Sequence, residues 1–151
     1  MTSPFYDIVF VAHVVVAFVG FGAIGMAGLA ASRGRHLVAP EGDANTRRFF
    51  KPGTDWPARL IFLVPVLGLV LLFGSDRTAT HGFWPWMGLA IWVVAGAAAT
   101  GWCWPAERRA QKALEEERID DFRRACYQIE TAVGLISICF VFALLVMIVQ
   151  P

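Results

Sequence analysis

The chain has 151 residues, of which 57% are hydrophobic and 17% are charged, and its mean hydropathy is +0.57. Soluble domains contain about 25% charged residues, so this deficit indicates a membrane protein. The net charge of +1 argues against a nucleic-acid-binding surface, and no nucleic acid is expected as a partner. The length suggests a single domain covering residues 1–151.

Four long apolar stretches predict four membrane-spanning helices, at about residues 6–31, 57–74, 84–104 and 127–149. The first stretch is rich in small residues: Ala23, Ala27, Ala31, Gly20, Gly22, Gly25 and Gly28. Small residues let helices approach closely in lipid. We therefore expect the first helix to be central and its small-residue surface, including Gly25, to pack against neighbouring helices.

The later spans carry their own signals. Pro65 falls in the middle of the second span and is expected to kink it. Tryptophans at both ends of the third span predict an aromatic belt. Residues 105–124 predict a charged, solvent-exposed helix that extends from the third span, with ion pairs such as Asp120–Arg124. Glu130 is expected in the first turn of the fourth helix, where a carboxylate suits the helix dipole.

Lysine and arginine are distributed very unevenly between the loops. Six lie between the first span and the apolar part of the second, counting Arg59 in the first turn of that span; six lie between the third and fourth, and only Arg77 lies between the second and third. Basic loops remain in the cytoplasm, so this distribution predicts that both chain termini are extracytoplasmic. The expected fold class is all-α: a polytopic membrane protein whose four helices form an up-down-up-down transmembrane bundle, with a charged cytoplasmic helical extension of the third helix.

Three cysteines occur in the chain: Cys103, Cys126 and Cys139. An odd number without a CxxC spacing predicts neither a disulfide framework nor a zinc site. We expect three free thiols.

The sequence contains none of the phosphate-loop, zinc-protease or nucleophile-elbow motifs, so no enzymatic activity is predicted. The one ionisable side chain well inside the first span is His13. Ionisable groups in a membrane are costly and often functional. The predicted topology places His13 and His81 on the same side, where two imidazoles could bind haem iron or copper as cofactor-binding or metal-binding residues. Two alternatives remain: a proton or substrate role beside Asp7, and a neutral imidazole hydrogen-bonded to a neighbouring helix.

Four features along almost the whole chain resemble a known family. Tyr6-Asp7 is followed by His13 and a glycine-rich half-helix, and the second span carries the Leu-Gly-Leu-Val motif of residues 67–70. The third span ends in Trp-Pro-Ala-Glu-Arg-Arg at residues 104–109, and an apolar segment closes the chain at residues 145–151. The sequence is similar to the predicted bacterial integral membrane proteins of unknown function 2269, which are grouped with copper-resistance-D-like membrane proteins.

This resemblance implies a multi-pass protein of the bacterial inner membrane. The wider group includes a four-helix protoporphyrinogen oxidase with a haem-ligating histidine in its first helix, which implies haem or copper at His13. The tryptophan that usually precedes the first-helix glycines is replaced here by Phe18 or Phe21. No second histidine lies inside a span.

Three functions therefore remain open. The first is a membrane subunit or scaffold, embedded in the lipid bilayer and assembled as a homo-oligomer or in a larger membrane-protein complex. The second is a haem- or copper-binding redox protein that uses His13. The third is a transporter of copper or another small solute, which is ranked last because the spans offer few polar residues to line a path.

Overall fold

The computed structural model of the protein describes residues 4–36, 44–51, 57–74 and 82–149. The regular secondary structure in these ranges is entirely helical, which confirms the all-α prediction. The side chains of Arg77 and His81 and both chain termini lie outside the described residues.

The helices in chain order are α1 (Pro4–Arg35), α2 (Ala44–Phe49), a 3₁₀ helix (Pro57–Phe62) that continues into α3 (Leu63–Gly74), α4 (Trp84–Ala98), a π-helical segment (Ala99–Cys103), α5 (Trp104–Glu115) and α6 (Ile119–Val149). Four helical stretches are long and apolar enough to cross a membrane: Pro4–Arg35, Pro57–Gly74, Trp84–Glu115 and Ile119–Val149. These stretches identify a multi-pass membrane protein.

Large apolar side chains cover the outside of these helices. Ile8 on α1 and Ile138 and Ile148 on α6 are among the most exposed. Leaving one such side chain in water instead of burying it costs about 1.5–3 kcal/mol. The outer surface is therefore suited to contact with the lipid bilayer.

Glycines bring α1 into close contact with α6 and with the start of the second span. A Cβ atom added to Gly28 would lie 2.6 Å from Val133 Cγ1, and one added to Gly34 would lie 2.8 Å from Cys126 Sγ. One added to Gly20 would lie 2.9 Å from the backbone nitrogen of Ile61. The contacts on α6 move back along its sequence as those on α1 move forward, so α1 and α6 are antiparallel.

The expectation that Gly25 packs inside the bundle is wrong. A Cβ atom added to Gly22 or Gly25 would meet no described atom within 4 Å. The buried residues of α1 instead follow one stripe that includes Gly20, Ile24 and Gly28. At 100° per residue, Gly22 and Gly25 fall on other sides of the helix.

Two prolines shape the second and third spans. Pro65 has no N–H to donate to the carbonyl of Ile61, and the Trp92 indole N–H donates to that carbonyl instead, at 2.9 Å. In the third span, the π-helical segment Ala99–Cys103 comes just before Pro105. Pro105 likewise cannot donate to the backbone four residues earlier, so the helix is locally rearranged there without ending.

The charged segment after the third span is a helical hairpin rather than one exposed helix through residue 124. The Arg118 N–H donates to the Ala113 carbonyl at 2.9 Å, and Glu117 has a left-handed φ of 55°. This arrangement caps the end of α5. The apolar residues of α5 are buried against α6, in a cluster that contains Ala106, Ala110, Phe122, Ala125 and Ile129. In place of the expected pair with Arg124, Asp120 lies 3.6 Å from Arg123.

Glu130 also differs from its predicted role. The fourth helix begins at Ile119, so Glu130 lies about three turns inside it, beyond the reach of the helix N-terminus. Its carboxylate forms an ion pair with Arg35 of α1, with Nη1 and Oε2 2.9 Å apart. The Arg35 guanidinium also lies 6.0 Å from the centre of the Tyr127 ring. An ion pair between helices therefore replaces the predicted dipole interaction.

The close approach of α1 to α6 makes a prediction that distinguishes the two kinds of glycine. Gly28→Leu should lower the free energy of unfolding by about 1–3 kcal/mol, because the new side chain would overlap Val133. Gly134→Leu on α6 is the matched control and should have little effect, since a Cβ atom added there would meet no described atom within 4 Å. Thermal unfolding of the detergent-purified variants measures both. Equal destabilisation by the two substitutions would contradict the described α1–α6 packing.

Candidate functional site

The α1 helix places His13 inside the bundle. The imidazole follows Val9 by four residues and precedes Gly20 by seven, so it lies on the same buried stripe. Only 8% of His13 is exposed. Its burial is unusual for a polar side chain in an apolar helix, and it makes His13 the focus of any site in this half of the protein.

The second span packs directly on the imidazole through a glycine. A Cβ atom added to Gly68 of α3 would lie 3.3 Å from His13 Cε1 and 3.7 Å from Nδ1. The backbone of Val64 also lies near the ring, but His13 Nδ1 has no hydrogen-bond partner of normal geometry among the described residues. An unsatisfied polar atom in an apolar interior costs roughly 1–3 kcal/mol, so this nitrogen is suited to receive a ligand.

A small cavity adjoins His13 and is bounded by all four spans. Its volume is about 80 Å³. The lining is almost wholly apolar and includes His13, Val64, Gly88, Trp92, Cys139 and Met147. The antiparallel register fixed by Gly28–Val133 and Gly34–Cys126 brings Met147 opposite His13. An imidazole and a thioether thus lie at the same level beside one apolar cavity, with Met147 partly exposed on the outer surface.

The cavity does not fit haem. Pockets for drug-sized ligands occupy about 300–1,000 Å³, whereas this cavity holds about 80 Å³ and a porphyrin is at least drug-sized. His36, the other described histidine, lies just beyond the far end of α1, so no second described histidine lies beside His13. Haem at His13 would require the four spans to separate.

A single metal ion fits the donors better. Imidazole nitrogen suits copper, and soft sulfur ligands select copper(I). Cys139 lies eight residues before Met147, about 12 Å along α6, so the two sulfur atoms do not serve one ion. In the described part of the chain, no three His, Cys, Asp or Glu side chains are grouped to hold a metal. His13 and Met147 are therefore the donor pair that the described bundle offers.

The other residues predicted for this site do not join it. His81, predicted as the second cofactor- and metal-binding residue, lies outside the described residues. Asp7, the predicted partner for a proton or substrate role, is exposed in the first turn of α1. Asp7 precedes His13 by six positions, which places them on different faces of the helix. The Asp7–His13 pair is therefore wrong.

The sequence patterns did not predict the positions of two side chains, Met147 and Glu107. Met147 belongs to a uniformly apolar stretch, and only the α1–α6 register brings it to His13. Glu107 belongs to the charged segment after the third span but is buried, and the Cys103 thiol lies 3.8 Å from its Oε1 atom. None of the three cysteines forms a disulfide, and Cys103 and Cys126 are buried. The small alanines around Glu107 are the only signal in the sequence that its side of α5 faces inward.

Comparisons with known proteins identify no relative. No family model matches this chain, and no curated protein or solved structure matches it either.

Proposed function

We propose that this chain is a membrane subunit of the bacterial inner membrane that binds one copper(I) ion through His13. The observation that carries the proposal is the buried imidazole of His13, whose Nδ1 atom makes no hydrogen bond of normal geometry with the described residues, beside an apolar cavity bounded by four spans. His13 and Met147 would hold the ion, and the apolar lining would exclude water. A bound copper ion would supply one-electron redox chemistry. The likeness of the sequence to the copper-resistance-D-like group points to the same metal.

The cavity supports binding more than transport. A transporter needs polar groups along a path across the bilayer. The lining of this cavity is apolar except for His13 and the indole and thiol groups of Trp92 and Cys139. The Trp92 N–H is already used by the Ile61 carbonyl. A site that binds one copper ion is therefore a better explanation of this cavity than a copper transport pathway.

Copper binding is tested on detergent-purified protein under reducing conditions, in competition with a chromophoric copper(I) chelator. We expect one copper ion per chain, and at least roughly tenfold weaker binding in His13→Ala, since even changes outside the ligand shell cost that much. Met147→Leu should also weaken binding. Gly68→Leu should weaken copper binding without removing a ligand, because the leucine side chain would displace the His13 imidazole.

His36→Ala is the matched control, since His36 is exposed at the end of α1, and it should retain full affinity. Two outcomes contradict the proposal. One is wild-type protein without stoichiometric copper, and the other is a His13→Ala variant with unchanged affinity. A Soret band in the purified protein would favour haem instead.

The proposed arrangement in the membrane is up-down-up-down, with both termini extracytoplasmic and with α5 and the start of α6 as a charged cytoplasmic extension. The six-to-one-to-six distribution of basic residues supports it. The ion pair between Arg35 and Glu130 is consistent with this, because it joins the basic end of α1 to the charged end of α6.

Thiol labelling of intact cells tests this orientation. In a variant whose three native cysteines are replaced by alanine, a membrane-impermeant reagent should label Thr2→Cys but not Arg118→Cys. Labelling of both sites after cell lysis is the control for reactivity. The reverse pattern in intact cells would overturn the orientation and move His13 to the cytoplasmic half.

The subunit role is supported by the open surface of α1. A Cβ atom added to Gly22 or Gly25 would meet no described atom within 4 Å. The large apolar side chains of Phe18, Met26 and Leu29 are exposed on the same helix. In lipid, helices associate where small residues allow close approach. We propose that a second copy of the chain packs against this surface.

Assembly is tested by the mass of the protein–detergent complex, measured by light scattering. The double variant Gly22→Leu/Gly25→Leu should shift a wild-type dimer toward the monomer, because two bulky side chains keep the helices apart. Gly134→Leu adds the same bulk at an open, exposed position of α6, away from this surface of α1, and should leave the mass unchanged. A monomeric wild type, or a double variant that remains dimeric, would contradict this role.

A further inference from the structure

A basic groove lies between α5 and α6, at the opposite end of the bundle from His13. Its volume is about 350 Å³. The polar side chains that line it are Arg109, Lys112, Arg118, Asp121, Arg124 and Gln128. The small side chains of Ala113 and Ala125, both buried, form its floor and leave the space between the two helices open.

The positive charge of this groove is only partly neutralised from within. Arg118 contacts two carboxylates, those of Glu116 and Asp121. Arg109, by contrast, donates from Nη1 to the neutral amide oxygen of Gln128, at 2.7 Å. Arg124 is exposed, and the described carboxylates leave it without an ion pair. Two guanidinium groups therefore face the groove with their charges unmatched.

The depth of the groove matches the lipid headgroups. The apolar part of α6 begins near Thr131, so Gln128 and its partner Arg109 lie about 5 Å beyond it and Arg124 lies about 10 Å beyond it, at 1.5 Å per residue. The headgroup layer extends roughly 5–8 Å from each side of the hydrocarbon core. Trp102 and Trp104, near the end of the third span, are residues that favour this interface. Arg109 is thus at headgroup depth, and Arg124 lies roughly 2–5 Å beyond that layer on its aqueous side, where its long side chain can reach back to the headgroup phosphates.

We propose that this groove binds the phosphate of an anionic phospholipid headgroup, with Arg109 and Arg124 as its principal contacts. Guanidinium groups bind phosphate oxygens through paired, charge-assisted hydrogen bonds. Basic pockets between membrane helices suit anionic headgroups. A free phosphate compound offers the same chemistry, but only a lipid brings its phosphate to the depth of Arg109 with acyl chains along the apolar face of the bundle. The site is independent of copper binding at His13.

The test is native mass spectrometry and thermal unfolding of the full chain, titrated in a neutral detergent with phosphatidylglycerol, phosphatidylcholine or glycerol phosphate. We expect one phosphatidylglycerol to bind preferentially and to raise the unfolding temperature. Arg109→Gln/Arg124→Gln should bind it roughly tenfold more weakly or worse, the effect of losing a hydrogen bond to a charged group. Arg124→Glu alone should also weaken the binding of phosphatidylglycerol. Because Arg124 forms no ion pair with the described carboxylates, this substitution should leave the fold intact.

The matched control is Arg48→Gln/Arg108→Gln. It removes the same charge from two exposed arginines that do not line the groove, and it should bind phosphatidylglycerol like the wild type. Equal weakening in the control would show general attraction to basic surface and overturn the site. Equal binding of phosphatidylcholine, or glycerol phosphate binding as tightly as phosphatidylglycerol, would overturn the assignment to an anionic lipid.

Discussion

The close approach of α1 to α6 at Gly28 and Gly34 is the constraint on which the rest of the structure depends. In lipid there is no hydrophobic driving force to bring two apolar helices together, so contact rests on van der Waals packing over surfaces that fit. Val133 fills the space left by Gly28, and Cys126 and Phe122 fill the space left by Gly34. These contacts fix the register of the two longest helices, and that register determines what lies opposite His13 at one end and opposite Arg35 at the other.

Polar groups have different surroundings at the two ends of the bundle. At the His13 end, a single imidazole is enclosed by apolar side chains and by the backbone at Gly68, with its Nδ1 atom unsatisfied. At the other end, polar groups are numerous and many contact one another, as in Arg35–Glu130 and Arg109–Gln128, although the buried Trp104 Nε1 and Glu130 Oε2 atoms also lack a hydrogen bond of normal geometry among the described residues. An isolated buried donor atom is costly and is expected to serve a ligand, whereas a network of partly exposed charges adds little stability for each pair. This difference is why copper is assigned to the first end and an anionic headgroup to the second.

Irregular backbone in the spans has identifiable chemical causes. Pro65 leaves the Ile61 carbonyl without its helical donor, and the Trp92 indole, from the neighbouring helix, supplies a hydrogen bond. Polar backbone groups in the membrane must find partners inside the protein, so this bond also ties the second span to the third. The π-helical segment before Pro105 lets the third span continue into α5 without a break. The cavity beside His13 is bounded by helices that these two adjustments hold in place.

The sequence by itself determined the all-helical class, the four apolar spans and the singular position of His13 in an apolar helix. These follow from composition, from segment length and from the cost of an ionisable group in lipid, all of which are local properties. Tertiary structure alone decided which glycines pack, because Gly25 and Gly28 are equivalent in the sequence and only the facing helix distinguishes them. The same holds for the break at Glu116–Arg118, the Arg35–Glu130 pair, the burial of Glu107 and the position of Met147 opposite His13. Each depends on the register between helices distant in the chain, which the pattern of one helix does not encode.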